Sequence, residues 1–135
     1  MIAAAAIVAA IAISGGDDAR KAVAQKPSAK TTAQPAPALP PGTPSDLNNR
    51  GYVLFQQNRY REALPLFLAA VKRCGSSHQL DPCGYALYNL GASLHRSGRS
   101  PEAIPILERR LRIFGDNETS DVRRELAAAI RTVRS

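Results

Sequence analysis

The chain has 135 residues, no tryptophan, only three phenylalanines and four tyrosines, and a formal charge of +7 from 18 Lys and Arg against 11 Asp and Glu. That length builds one small domain, and the scarcity of aromatics makes its core aliphatic. The basic excess suits anionic surfaces, but no Lys/Arg run carries interleaved aromatics, so a dedicated nucleic-acid face is not expected.

Residues 2–13 are an unbroken run of Ala, Ile and Val. As a helix this run spans about 18 Å, short of the roughly 30 Å of a bilayer core. No Lys or Arg precedes it, so it lacks the charged start of a secretory signal. The reading is a hydrophobic membrane or signal segment over 1–16, either a short anchor or the end of a span that begins upstream. A helix packed on a soluble domain is the competing account. Residues 17–43 are rich in Ala and Pro, with Pro35, Pro37, Pro40 and Pro41 densest. Proline lacks an amide donor and holds its predecessor extended, so this stretch is expected to be a disordered, polyproline-like linker.

Residues 44–135 carry helical periodicity. A first helix is expected over 43–57, opened by Thr43 and Pro44 and closed by the Asn58–Arg59 turn. A second covers 60–72, with Ala63, Leu64, Phe67, Leu68 and Val71 inward. Asp81 and Pro82 open a third, which Ser97, Gly98 and Arg99 end. Ser100 as cap and Pro101 as first-turn residue start a fourth over 101–114, with Ile104, Leu107, Leu111 and Phe114 inward. The stretch 116–120 offers caps for a fifth over 122–133, whose apolar face is Val122, Leu126, Ala129, Ile130 and Val133. Arg123, Arg124, Arg131 and Arg134 keep its other side wet.

The helices repeat. Shifted by 40 residues, Leu47, Asn49, Gly51, Leu54, Arg59, Glu62, Ala63 and Pro65 fall on Leu87, Asn89, Gly91, Leu94, Arg99, Glu102, Ala103 and Pro105. Such self-similarity is the mark of a solenoid built from helical hairpins. The expected division is 44–80 for the first repeat, 81–116 for the second and 117–135 for a capping helix.

The pattern Leu87, Leu90, Gly91, Leu94, then Ala103 and Leu107, resembles the tetratricopeptide motif, and Leu47, Gly51, Leu54, Ala63 and Phe67 repeat it. The usual tryptophan-type position is leucine in both copies, the closing proline is absent, and the period is 40 because of an insertion between Cys74 and Tyr85. The resemblance implies an all-α solenoid of two hairpins plus a cap. More narrowly, residues 84–91 and 98–111 resemble the repeat domains that follow a transmembrane helix and Pro/Ala linker in some actinobacterial membrane serine/threonine kinases. The kinase part itself is not represented, since no nucleotide loop or catalytic-loop signature occurs.

Cys74 and Cys83 flank the insertion and read as a disulfide clip, with free thiols, or a metal site using Cys74, His78 and Cys83, as alternatives. No metal or cofactor is expected. No nucleophile lies beside a base, and no carboxylate pair is placed for acid–base work, so the chain reads as non-enzymatic. By the family resemblance, the first helix of each pair lines a ligand groove. Its candidates are Asn48, Tyr52 and Gln56, then Tyr88, Ala92, His95 and Arg96, then Arg124 and Arg131 from the fifth helix. The family's clamp for a peptide carboxyl terminus is not reproduced: Asn49 and Asn89 match one position, but the lysine and second asparagine do not recur. The expected function is a membrane-tethered protein- or peptide-binding scaffold of the cell envelope. Self-association, or spacing within a larger kinase, is the alternative. A disulfide places the domain outside the cytoplasm, whereas Arg20, Lys21, Lys26 and Lys30 favour a cytoplasmic orientation.

Overall fold

The computed structural model describes residues 37–115 and 117–135. The expected membrane segment and most of the linker lie outside the described residues, and no helix within them is long and apolar enough to cross a membrane. Five α-helices and no strand occur among the described residues: α1 (Pro44–Gln56), α2 (Tyr60–Cys74), α3 (Tyr85–Arg96), α4 (Ser100–Phe114) and α5 (Ser120–Arg134). Each helix packs on the next, so α1–α2 and α3–α4 are hairpins, α2 against α3 joins them, and α5 covers α4.

α1 starts where the sequence asks. The Thr43 hydroxyl accepts from the Asp46 amide at 3.2 Å, and the Asp46 carboxylate accepts from the Thr43 amide at 3.3 Å. Two orphan donors are thereby satisfied reciprocally. Hydrogen bonds from Thr43 hold the Asp46 carboxyl below its ordinary pKa. The turn after α1 places Asn58 at φ 59°, and the turn after α3 places Gly98 at φ 86°. These two are repeat equivalents, and Asn and Gly are the residues that tolerate a left-handed backbone.

The hairpins close at a small residue. A Cβ on Gly91 would sit 2.6 Å from the Leu107 Cγ, and one on Gly51 would sit 2.7 Å from the Phe67 ring. Phe67 and Leu107 are fully buried at matching positions, each burial contributing roughly 1.5–3 kcal/mol. Leu47, Ala63, Leu87, Leu90, Ala103, Val122 and Ala129 complete one continuous core.

Several inward assignments shift. In α2, Leu66, Ala69 and Ala70 are buried beside Ala63, Phe67 and Val71, while Leu64 is half-buried and Leu68 is exposed. α2 is held between α1 and α3, and that turns its buried arc away from Leu68. In α4, Ile104 and Leu111 are only half-buried, and Arg110 is buried instead. α5 begins at Ser120, and Val133 is half exposed. Ser100 does not cap α4: it is the first helical residue, Arg99 stands at the cap without a side-chain bond, and the buried Ser100 hydroxyl finds no partner among the described residues. Thr119 likewise makes no side-chain cap for α5.

The third helix is preceded by a wide helical turn, Leu80–Gly84, in which Asp81 stays extended at φ −104°, ψ 122° and the Asp81–Pro82 peptide is cis. Cys74 and Cys83 form a disulfide, with Cα atoms 5.7 Å apart. Each sulfur is bonded to the other, the first of the three expected arrangements. Closing a loop of this size contributes roughly 2.7 kcal/mol in the chain-entropy account.

Candidate functional site

A cleft of about 550 Å³ opens between α1, α3 and the start of α5. Asn48, Asn49 and Tyr52 form one wall, and Tyr85, Tyr88 and Asn89 another. Glu118, Ser120, Asp121 and Val122 enclose the end, and Arg110 reaches it from α4. The spacing explains the wall: residues four apart on a helix share a face, so Asn48 and Tyr52 align on α1, as Tyr85 and Asn89 do on α3.

The groups here are neutral donors and acceptors ringed by a few charges. Asn89 Nδ2 donates to Asn48 Oδ1 at 3.0 Å across the repeat boundary, and both residues are buried. Asn48 thereby keeps its amide hydrogens, and Asn89 its carbonyl oxygen, for a second partner. The Tyr85 hydroxyl donates to Glu118 at 2.6 Å. That bond, burial and neighbouring carboxylates push the Tyr85 pKa up. Burial likewise raises Tyr88. Asp121 is paired with Arg124 one turn along α5.

Arg110 is only 1% exposed. Its Nε donates to the Gly84 carbonyl at 3.0 Å and its Nη2 to the Asn117 carbonyl at 2.9 Å, and the guanidinium lies over the Phe114 ring at 4.9 Å. Burial pushes its pKa below the ordinary guanidinium value, while Glu118 and Tyr85 pull the other way. It remains a cation at neutral pH.

The structure brings only part of the expected groove together. Asn48, Tyr52 and Tyr88 line the cleft. Gln56, His95, Arg96, Arg124 and Arg131 do not. Ala92 is fully buried. His95 and Arg96 are spent on α5: His95 Nδ1 meets Glu125 Oε1 at 2.9 Å, its Nε2 meets the Thr132 hydroxyl at 3.3 Å, and Arg96 Nη2 reaches Glu125 at 3.2 Å. Arg96 also lies over the Phe55 ring at 4.8 Å and the Tyr60 ring at 5.8 Å, so it ties α1, α2 and α5 to α3. Burial raises the Glu125 carboxyl, but bonds from Arg96 and His95, with their charges, outweigh it and leave the pKa below the ordinary carboxylate value. Gln56, Arg124 and Arg131 are exposed.

The residues missed as site members are Asn49, Tyr85, Asn89, Arg110, Glu118 and Asp121. Shifting Arg110 by 40 residues places it on Ala70, which the structure buries but which lies outside the inward face expected for the second helix. No group of three or more His, Cys, Asp and Glu among the described residues is placed to hold a metal ion.

Comparison with known proteins agrees with the geometry. A family model described as tetratricopeptide repeat matches residues 45–116. No curated protein and no solved structure matches the chain. Tetratricopeptide domains generally bind proteins or peptides. The match covers both hairpins, the Gly51–Phe67 and Gly91–Leu107 approaches recur at the same repeat positions, and the chain belongs to the tetratricopeptide repeat family.

Proposed function

We propose that this domain is a non-enzymatic scaffold that takes a peptide segment of a partner protein into the cleft between α1, α3 and α5. The observation that carries the reading is the cleft's lining, with tyrosines and side-chain amides surrounding about 550 Å³. Tyrosine and asparagine offer apolar contact together with adaptable hydrogen bonds, the chemistry that peptide main chain requires. Two hairpins and a cap give a short surface, so the expected affinity is modest. The hydrophobic stretch at 1–16 and the Ala/Pro-rich linker support a membrane-tethered placement, and the disulfide supports an extracytoplasmic, cell-envelope one.

Selection of phage-displayed random dodecapeptides on the full chain tests this. Tyr52 is 44% exposed, so Tyr52→Ala can alter the cleft while leaving the core intact. Selected peptides should lose about tenfold in affinity for that variant, the scale of one good aromatic contact. Peptides indifferent to Tyr52→Ala would place the binding surface elsewhere.

A second reading, self-association as a module of a larger membrane kinase, is favoured by one feature. Among the described residues α1 packs only on α2, α3 and the turn before α3, and its Val53 is 53% exposed. Sedimentation of the full chain decides it: a mass that rises with concentration, and falls back in Val53→Asp, supports self-association.

A further inference from the structure

α3 serves two hollows. Tyr85, Tyr88 and Asn89 line the cleft, whereas Leu90 and Leu94, on the opposite side of the helix, floor a groove of about 480 Å³ between α2 and α4. No residue lines both. Leu64, Pro65 and Leu68 form the α2 wall, and Ile106 stands on the α4 wall. Leu90 and Leu94 are 4% and 6% exposed, Leu64 and Ile106 are half-buried, and Leu68 reaches 39% at the rim. The groove is therefore apolar from floor to edge, the composition of a contact surface.

Charge frames this strip. Arg61, Pro65, Leu68 and Lys72 recur at four- and three-residue spacing, so they share one exposed face of α2. The two cations bracket the apolar pair at a separation of about 16 Å along the axis. Neither meets a carboxylate among the described residues. From α4, Arg109 donates to the Gly75 carbonyl at 3.4 Å, which brings a third cation to the Lys72 end. The nearby acids are mostly spent: Arg59 forks Glu62 and Arg99 forks Glu102, which leaves Glu108, exposed on α4, as the opposing charge.

We propose that the groove between α2 and α4 seats an amphipathic helix of a partner protein. Its apolar stripe lies on Leu90 and Leu94, and its acidic residues, about eleven positions apart, meet Arg61 and Lys72. Charge complementarity selects this occupant. A second copy of the chain would bring the same cations together. A flat anionic lipid surface would rest on the rims without reaching the floor. The proposal is separate from the peptide reading of the cleft and survives that reading's failure.

The test uses three synthetic helices, each a capped Ala/Gln chain of about 16 residues with a leucine stripe. One carries two glutamates eleven positions apart beside the stripe, and the others carry glutamines or lysines there. Each is titrated into the isotope-labelled full chain and followed by nuclear magnetic resonance at the backbone amides of Leu68, Leu94 and Ile106. The glutamate helix should shift these amides and bind about fivefold tighter than the glutamine helix, the scale of two exposed ion pairs. The lysine helix should bind weakest. Arg61→Gln with Lys72→Gln, both at exposed positions, should erase that order without unfolding the domain. Leu68→Ser should weaken the glutamate and glutamine helices alike, by about threefold. Tyr52→Ala should change nothing, because the cleft is a different surface. Equal binding of all three helices, silence from all, or shifts at Asn48 and Asn89 in place of the groove would overturn the proposal. So would groove shifts that follow protein concentration alone, which mark a second copy. Shifts with phosphatidylglycerol vesicles and none with the glutamate helix would overturn it in favour of a lipid surface.

Discussion

The two hairpins share a frame and differ in what they hang on it. Arg59 and Arg99 fork onto Glu62 and Glu102 in the same way, with Nε–Oε1 distances of 2.8 and 2.7 Å. Gly75 and Gly115 end α2 and α4 at the same φ of 55°. Against that constancy, Ala70 of the first hairpin becomes Arg110 of the second, Phe55 becomes His95, Gln56 becomes Arg96, and Tyr60 becomes Ser100. Each replacement puts a polar group where its counterpart packed apolar or faced water. Arg110 reaches the cleft, and His95 and Arg96 bind the capping helix. The repeated positions build the stack and lend Asn49 and Asn89 to the cleft, whereas the departures from repetition add Arg110 there and hold the capping helix.

Separating frame from site gives four expectations, from the largest effect to the smallest. Cys74→Ser with Cys83→Ser acts on the joint between the hairpins, and should cost roughly 2.7 kcal/mol by chain entropy. Thermal or denaturant unfolding with and without reductant measures it. The loss should also disturb the carbonyl of Gly84, next to Cys83, and with it the Arg110 resonance. Next, Gly91→Ala and Gly51→Ala attack the frame at equivalent points. Each should lose about 1–3 kcal/mol, because the facing Leu107 or Phe67 must shift within a packed core. A large loss at one and none at the other would break the equivalence of the two hairpins.

The third concerns the capping helix. Glu125 faces His95 and Arg96 of α3, with Tyr88 of the same helix nearby. Its folded pKa is depressed, so its contribution is fully present above the unfolded carboxylate value and is lost as pH falls through the folded one. Glu125→Gln should cost about 1 kcal/mol at pH 7. The gap between wild type and variant in urea midpoints should close as pH falls below about 4.3. The smallest effect has the opposite sign. Ser100 carries a buried hydroxyl without a partner among the described residues, so Ser100→Ala should raise stability by about 0.5 kcal/mol.

The hairpins were readable because their cause is local. Leucine and alanine at three- and four-residue spacing, Asn58 and Gly98 in the turns, and Thr43 before Pro44 each fix structure within a few residues. The disulfide was readable because two cysteines bracket one insertion. The site was less so, because its cause is long-range. Arg110 stands in the run Arg109, Arg110, Leu111, Arg112, and its repeat equivalent, Ala70, lies outside the inward face expected for the second helix. His95 and Arg96 carried good contact chemistry, and nothing near them in the chain announces Glu125, about thirty residues on. The amphipathic pattern marks Leu68 as core because it registers one face, whereas α2 is held between two neighbours. Ser100 before Pro101 has the form of a cap, yet the helix had already begun.

The stack itself is open to direct measurement. Nuclear Overhauser contacts between the Asn48 and Asn89 carboxamides, and between Arg96 and the Phe55 ring, exist only if α1 and α3 lie side by side in the same orientation. The account predicts both in the full chain, alongside contacts within each hairpin from Gly51 to Phe67 and from Gly91 to Leu107. Hairpin contacts present with both cross-repeat contacts missing would contradict it, and the cleft would have no walls.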